Sequence, residues 1–176
     1  DTTVCNGSSA TITFSGTPNA TVTYTVNGGS NQTIKLDNSG TATIINTYTT
    51  TTVYSLVSVM SDGTPSCSQP QTGTATITVV PPPTATISSN ATICSGDTAT
   101  VTISGTPNAI VAYTVNGGSN QTIVLDNLGN ASIVTTYSTT TIISLVSVTS
   151  PGTPNCTLPI TDSITITVLP LPVVSI

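Results

Sequence analysis

The chain has 176 residues, only 4% of them charged, and a formal net charge of −5 with Lys35 as the single cation. An average soluble domain is about 25% charged, so neutral hydroxyl groups must supply most of this surface. A nucleic-acid partner is excluded because phosphate binding needs clustered Lys or Arg. Membrane insertion is excluded because no stretch of about 18 apolar residues exists.

The sequence is built from two copies of one repeat, whose period of 89 residues is the separation of Cys5 from Cys94. No gap interrupts the register, and the run Tyr24–Ile34 recurs unchanged as residues 113–123. We expect two recently duplicated domains cut from a longer array. The predicted division is repeat 1 over 1–80, a Pro-rich linker over 81–83, repeat 2 over 84–169, and a linker with the opening strand of a third copy over 170–176.

Apolar residues alternate with threonine in segments such as Ala10–Phe14 and Val22–Val26, which predicts strands with one face in a core and the other in water. Threonine is β-branched and suits strands, whereas helix formers are scarce, so the predicted class is all-β. Segment 84–88 opens repeat 2 but has no counterpart in repeat 1, which therefore lacks its first strand. The predicted strands are 10–15, 20–26, 32–36, 41–47, 52–60 and 74–80, followed by 84–88.

Seven short strands in a period of 89 residues fit an immunoglobulin-like or fibronectin-type β-sandwich. The pair Asn27-Gly28, which the second copy repeats, is typical of a type I′ hairpin turn. Asp37 and Asp126 lie in segments with turn composition. Consecutive prolines make the linker extended and stiff. We therefore expect two tandem seven-stranded sandwiches arranged end to end as a rod.

Each copy contains two cysteines, 62 residues apart, and their pairing suits an exported protein. The favoured prediction is one disulfide within each repeat, Cys5 with Cys67 and Cys94 with Cys156. In a simple sandwich, however, the two members of each pair can lie at opposite ends. The alternative is a bond between neighbouring repeats, Cys5 with Cys156, which would join the array covalently.

The residue inventory argues against catalytic and metal-binding chemistry. The chain has no His to serve as a base beside Ser or Cys. A calcium loop needs several carboxylates close together, and a zinc site needs closely spaced thiols or histidines. The sequence contains neither pattern. We predict no enzymatic activity, no cofactor and no metal site.

Several short motifs together resemble a known family. They are Ile93-Cys94-Ser95-Gly96-Asp97 before a strand, Tyr113–Gly118 at a hairpin, Thr139-Thr140-Thr141 before the central strand, and a cysteine in the last loop before Ile164–Val168. The combination resembles the Ig-like or PKD-like repeats of very large surface proteins of gliding bacteria. This resemblance implies secreted, cell-surface spacers of giant adhesins, exported by the type IX system, that carry a distal binding region away from the cell.

The resemblance also implies O-linked glycosylation. Related bacteria attach sugars where a hydroxyl residue follows an acidic one. In this chain such positions are Thr2, Thr98 and Ser163.

Three classes of function remain open. The favoured class is a structural spacer or filament repeat, whose partners are neighbouring copies of the same repeat. The second is a module that binds carbohydrate, such as surface glycans, or ice, through rows of threonine such as Thr21, Thr23 and Thr25. The third is an accessory domain beside an enzyme.

The spacer class itself divides into two arrangements. Residues Val173, Val174, Ser175 and Ile176 either open the next repeat of a continuous polypeptide or complete another subunit by strand addition. We favour the continuous array because this segment follows the same kind of Pro-rich linker that joins the two copies.

Overall fold

The structure, a computed structural model, describes residues 1–89 and 92–176. The chain divides into two compact units, Asp1–Pro81 and Pro82–Ile176. Both are built from β-strands. Within the described residues no helix is long and apolar enough to cross a membrane.

Unit 1 is a sandwich of two sheets. Its strands are β1 (Thr2–Cys5), β2 (Ser8–Ser15), β3 (Thr21–Val26), β4 (Gln32–Lys35), β5 (Thr41–Tyr48), β6 (Thr52–Met60), β7 (Ser68–Pro70) and β8 (Thr74–Val80). The larger sheet has the order β1-β8-β6-β3-β4, with β7 also paired to β6, and the smaller sheet consists of β2 and β5. β1 runs parallel to β8.

Unit 2 repeats this plan with one additional strand. Its strands are β9 (Ala85–Ser89), β10 (Thr92–Cys94), β11 (Thr98–Gly105), β12 (Ile110–Val115), β13 (Gln121–Val124), β14 (Asn130–Thr136), β15 (Thr141–Thr149), β16 (Thr157–Pro159) and β17 (Ser163–Leu169). The larger sheet has the order β10-β17-β15-β12-β13, with β16 also paired to β15. The smaller sheet has the order β14-β11-β9, so β9 is the strand without a counterpart in unit 1.

The core of each unit lies between its two sheets and follows the alternation in the sequence. In unit 1, Leu36 and Ile77 are each 1% exposed and pack in one cluster with Phe14. In unit 2, Leu125 and Ile166 occupy the corresponding positions. Full burial of one such side chain contributes roughly 1.5–3 kcal/mol. The intervening threonines of these strands are mostly half-buried or exposed.

The structure confirms the predicted strands and the predicted turn. Asn27 and Gly28 have φ values of 50° and 69°, and the Gly29 N–H donates to the Val26 carbonyl over 2.9 Å. Positive φ at both central residues defines the type I′ turn. The same backbone angles recur at residues 116 and 117.

Two short strands in each unit were missing from the predicted set. β1 and β10 are paired in parallel with the last strand of their unit, and β7 and β16 are paired with β6 and β15. Each has three or four residues, which is too short for alternation to be visible. The prediction of seven strands per repeat is therefore corrected upwards in both units.

Candidate functional site

The smaller sheet of unit 2 has a third strand, β9, at one edge. β9 is antiparallel to β11, with Ile87 opposite Ile103 and Ala85 opposite Gly105. The side chains of Ala85 and Ile87 are 9% and 8% exposed and belong to the core of unit 2. The Ile87 N–H also donates to Asp162 Oδ2, in the loop before β17, over 3.3 Å. β9 therefore covers the core at one edge of the sandwich and contacts both of its sheets.

Unit 1 has an open groove in the corresponding place. The groove has a volume of about 430 Å³, with Ile12 and Phe14 of β2 on one side and Leu56 of β6 on the other. Leu56 is half-buried, whereas its counterpart Leu145 in unit 2 is 3% exposed. Unit 1 thus presents apolar core residues in a slot that one strand fills in unit 2.

The C-terminal segment has the side-chain pattern of β9. One period of the repeat separates Val174 from Ala85 and Ile176 from Ile87. Residues 170–176, all of them described, form no strand, and the side chains of Val174 and Ile176 are fully exposed. In an extended strand these two side chains point to the same face. The segment therefore carries the apolar pattern that the groove of unit 1 lacks.

The structure contains neither of the two disulfides predicted within the repeats. Cys67 and Cys94 are free thiols, and both are exposed. Cys5 and Cys156 are disulfide-bonded, and Cys156 is 5% exposed. The predicted pairings of Cys5 with Cys67 and of Cys94 with Cys156 are therefore corrected.

The register of the strands in unit 1 gives the physical reason. Cys5 lies opposite Val80, the last residue of β8. The Ser61 N–H donates to the Cys67 carbonyl just beyond the end of β6, and β6 is antiparallel to β8, so Cys67 lies at the other end of the sheet. The nine residues of β6 span about 30 Å. A disulfide requires Cα atoms roughly 4.4–6.8 Å apart.

Unit 2 separates its cysteines in the same way. Cys94 lies opposite Leu169, the last residue of β17. Cys156 accepts a hydrogen bond from the Ser150 N–H just beyond the end of β15, and β15 is antiparallel to β17. Each unit therefore has one cysteine at the end of the larger sheet where its last strand finishes, and one cysteine at the opposite end of that sheet.

The aspartates at the two predicted turn positions hold the backbone of their own turns. Asp37 Oδ1 accepts the backbone N–H groups of Ser39 and Thr41 over 2.8 and 2.9 Å. Its hydrogen bonds from the Ser39 hydroxyl and the Thr41 backbone lower the pKa of this carboxyl to about 2. Asp126 Oδ1 makes the same pair of backbone contacts in unit 2. The predicted turn role of both residues is confirmed.

The described residues offer no assembled set of metal ligands, because none of their His, Cys, Asp or Glu side chains form a group of three or more. The ammonium of Lys35 lies 3.0 Å from Asp62 Oδ2, with both side chains 58% exposed. A pair this exposed contributes about 0–1 kcal/mol. It is a contact on the protein surface.

Two tyrosine hydroxyls meet in the core of unit 1. The hydroxyl oxygens of Tyr48 and Tyr54 are 2.9 Å apart and buried. Burial, together with this hydrogen bond, raises the pKa of Tyr48 to about 12. Unit 2 has Ile143 in place of Tyr54. The hydroxyl pair is thus specific to one copy and packs in the core of unit 1.

The threonine rows and the glycosylation positions lie on the surface of the strands. Thr21, Thr23 and Thr25 are half-buried on β3, between β4 and β6. The hydroxyl residues at positions 2, 98 and 163 are all exposed. Glycosylation and binding through threonine rows stay predictions.

Comparison with solved structures shows the fold. The structure is similar to a marsupial T cell receptor, with a TM-score of 0.57 and 10% sequence identity, over 100% of this chain and 73% of that chain. It is also similar to the D0-D1 domain of intimin, with a TM-score of 0.33 and 18% identity, over 94% of each chain. No protein-family model and no curated protein sequence matches the chain. The prediction of immunoglobulin-like β-sandwiches is confirmed.

Proposed function

We propose that this chain is a structural repeat of an extracellular stalk or filament on a bacterial surface, where it acts as a spacer and catalyses no reaction. The observation that carries the proposal is the match between the groove of unit 1 and residues 173–176. In this proposal the segment pairs with β2 along the groove, as β9 pairs with β11 in unit 2, and this pairing is the joint between repeats. Repeats built in this way continue from one sandwich into the next.

The energetics of adding a strand to β2 support this arrangement. By the register of β9, Ile176 would lie opposite Phe14 and Val174 opposite Gly16. Each backbone hydrogen bond to β2 would contribute roughly 0.5–1.5 kcal/mol, and burial of the two apolar side chains would add to it. An edge strand that stays unpaired is also a site of uncontrolled association. Both effects favour a sandwich completed by a neighbouring segment.

The chemistry of the chain supports an extracellular location. Disulfide-bonded cysteines persist in oxidising compartments, and Cys5 and Cys156 are in this state. The low content of charged residues leaves a surface of threonine hydroxyls and backbone. We infer that the partners of each repeat are neighbouring copies, which contact it through the groove and the C-terminal segment.

A peptide tests the groove directly. The peptide of residues 82–89, which contains β9, should bind unit 1 and raise its melting temperature by a few degrees at saturation. A control peptide with the Ala85→Asp and Ile87→Asp changes should have no effect, since it cannot enter an apolar slot. An unchanged melting temperature with the first peptide would contradict the proposed joint.

The second candidate is a subunit polymerised by C-terminal strand donation, a form of β-augmentation. The observation that favours it is the side-chain pattern of Val174 and Ile176, which matches Ala85 and Ile87 of β9 one period earlier. In this arrangement the segment of one polypeptide enters the groove of another. The continuous array differs only in that one polypeptide carries all the repeats.

The mass of the native polypeptide separates the two candidates. In a reducing, denaturing gel, the protein from its natural source should run far above the 17.6 kDa of this chain if the array is continuous. A band near 17.6 kDa would instead support donated strands. In that case the Val174→Asp/Ile176→Asp variant should stay monomeric, whereas the control Val173→Asp/Ser175→Asp, which changes the outward face, should assemble.

A further inference from the structure

The free thiols of Cys67 and Cys94 occupy opposite ends of their units. Cys67 follows β6, and its N–H donates to the Ser61 hydroxyl over 2.9 Å. It also lines a surface hollow with Ser61 and Gln69. Cys94 ends β10, and the N–H of the next residue, Ser95, donates to the Leu169 carbonyl over 2.9 Å. Both side chains are exposed and open to a partner from outside their unit.

The same two positions are disulfide-bonded in the other copy. Cys156 corresponds to Cys67 and has the same local hydrogen bonds, with its N–H donating to the Ser150 hydroxyl over 3.0 Å. Cys5 corresponds to Cys94 and likewise lies opposite the last residue of its unit's final strand. The backbone around each free thiol therefore matches one that already presents its sulfur to a disulfide.

A partner within the unit is excluded for every one of these cysteines. In both units the two cysteines are separated by the full length of the sheet, about 30 Å by the nine residues of β6 or β15. Cys5 and Cys94 lie at the end of the sheet where the last strand of their unit finishes, and Cys67 and Cys156 lie at the opposite end. In a following repeat, we expect the cysteine equivalent to Cys67 and Cys156 to lie at the end of the sandwich where its first strand begins.

We propose that every joint between successive repeats carries one disulfide, from the Cys5 or Cys94 position of one repeat to the Cys67 or Cys156 position of the next. Within this chain the rule assigns one bond to Cys5 and Cys156. At its ends, Cys94 bonds to the Cys67 position of a following repeat, and Cys67 bonds to the Cys94 position of a preceding one. The inference deepens the proposed function and rests on it, because the joint brings the two positions together.

The bond forms by thiol–disulfide exchange. The Cys94 thiolate attacks one sulfur of an external disulfide, such as oxidised glutathione, and releases one thiol. The Cys67 thiolate of the next copy then displaces the second thiol. The two protein thiols lose two protons and two electrons, and the external disulfide is reduced to two thiols. The product is a directional covalent link between copies.

Two single variants test the pairing and its direction. Cys67→Ser retains the thiol of Cys94, and Cys94→Ser retains that of Cys67. Mixed in a glutathione redox buffer, they should form a cross-linked dimer on the order of 10-fold or more faster than either variant alone, because the joint raises the effective concentration of this one pair. Peptide mapping of the dimer should find Cys94 joined to Cys67, and Cys5 joined to Cys156 within each chain.

The outcomes separate this inference from the proposed function. Equal rates of cross-linking in the mixture and in each single variant, or no cross-link in any of them, overturn the disulfide rule. Non-covalent association of the Cys67→Ser/Cys94→Ser double variant, measured by sedimentation, reports on the joint alone. If that variant associates while the mixture fails to cross-link, the proposed function stands and the disulfide rule falls. If the mapped bond is Cys5 to Cys67, the rule is also wrong.

Discussion

The carbonyl oxygen of Thr84 lies where a Cβ atom on Gly105 would have to be. The backbone of unit 2 enters β9 directly over this glycine, and the Thr106 N–H donates to the same carbonyl over 2.9 Å. Only a hydrogen atom fits between the two strands at this point. In unit 1 the corresponding Gly16 has no strand above it, and an added Cβ would meet only the end of the Leu36 side chain, at 3.3 Å.

The first prediction follows from this difference. Gly16→Ala should destabilise unit 1 less than Gly105→Ala destabilises unit 2, since the added Cβ of residue 16 meets only the end of the Leu36 side chain, which must shift by a few tenths of an ångström. The same change should prevent binding of the 82–89 peptide, because the added methyl group occupies the path of the incoming strand. Thermal unfolding of unit 1 with and without the peptide measures both effects.

Gly105→Ala is the matched control in unit 2. It should destabilise that unit by roughly 1–3 kcal/mol, the usual effect of overpacking, because β9 is already in place. If Gly16→Ala still binds the peptide as the unchanged chain does, the strand enters unit 1 in some other register than that of β9.

Much of this fold could be predicted from the sequence because β2 and its copy alternate apolar residues with threonine. That pattern is local, as is the Asn27-Gly28 turn, whose positive φ values depend on two adjacent residues. The strand at 84–88 was also visible, because apolar residues alternate with hydroxyl residues there, and it forms β9 in the structure.

The disulfide pairing could not be predicted in the same way. Within each repeat the two cysteines have the same spacing of 62 residues, which is compatible with either pairing. The pairing depends on the position of Cys5, which lies opposite Val80 because β1 is parallel to β8. A strand of four residues with no alternation gives no sequence signal, so the position of Cys5 follows only from the assembled sheet.

The second prediction concerns the hydroxyl pair of Tyr48 and Tyr54. Tyr48→Phe removes one partner and leaves the other hydroxyl buried without its hydrogen bond, at a cost of about 1–3 kcal/mol in the free energy of unfolding of unit 1. Tyr48→Phe/Tyr54→Phe removes both hydroxyls and should recover most of that loss. Hydrogen exchange of the β2 and β6 amides reports on unit 1 within the whole chain. Strictly additive losses in the double variant would show that the two hydroxyls do not interact.

The third prediction is a loss of stability of unit 1 in acid. The pKa of Asp37 is lowered from 3.8 to about 2 in the folded chain, so the folded state binds fewer protons than the unfolded state in this range. The stabilisation is complete above about pH 4 and is lost as the pH falls towards 2. The unchanged chain should lose more stability over this window than Asp37→Asn, which has no carboxyl to protonate. Parallel curves of unfolding free energy against pH for the two proteins would contradict the assignment.

The fourth prediction separates two roles of Asn27. Its backbone has a φ of 50°, and its Oδ1 accepts the Val53 N–H over 2.8 Å. Asn27→Gly keeps the positive φ and loses only the hydrogen bond, about 0.5–1.5 kcal/mol. Asn27→Ala loses the bond and also strains the left-handed backbone by roughly a further 1–2 kcal/mol. Chemical denaturation of both variants measures the difference, and equal losses would mean that the turn changes its backbone conformation when the side chain is removed.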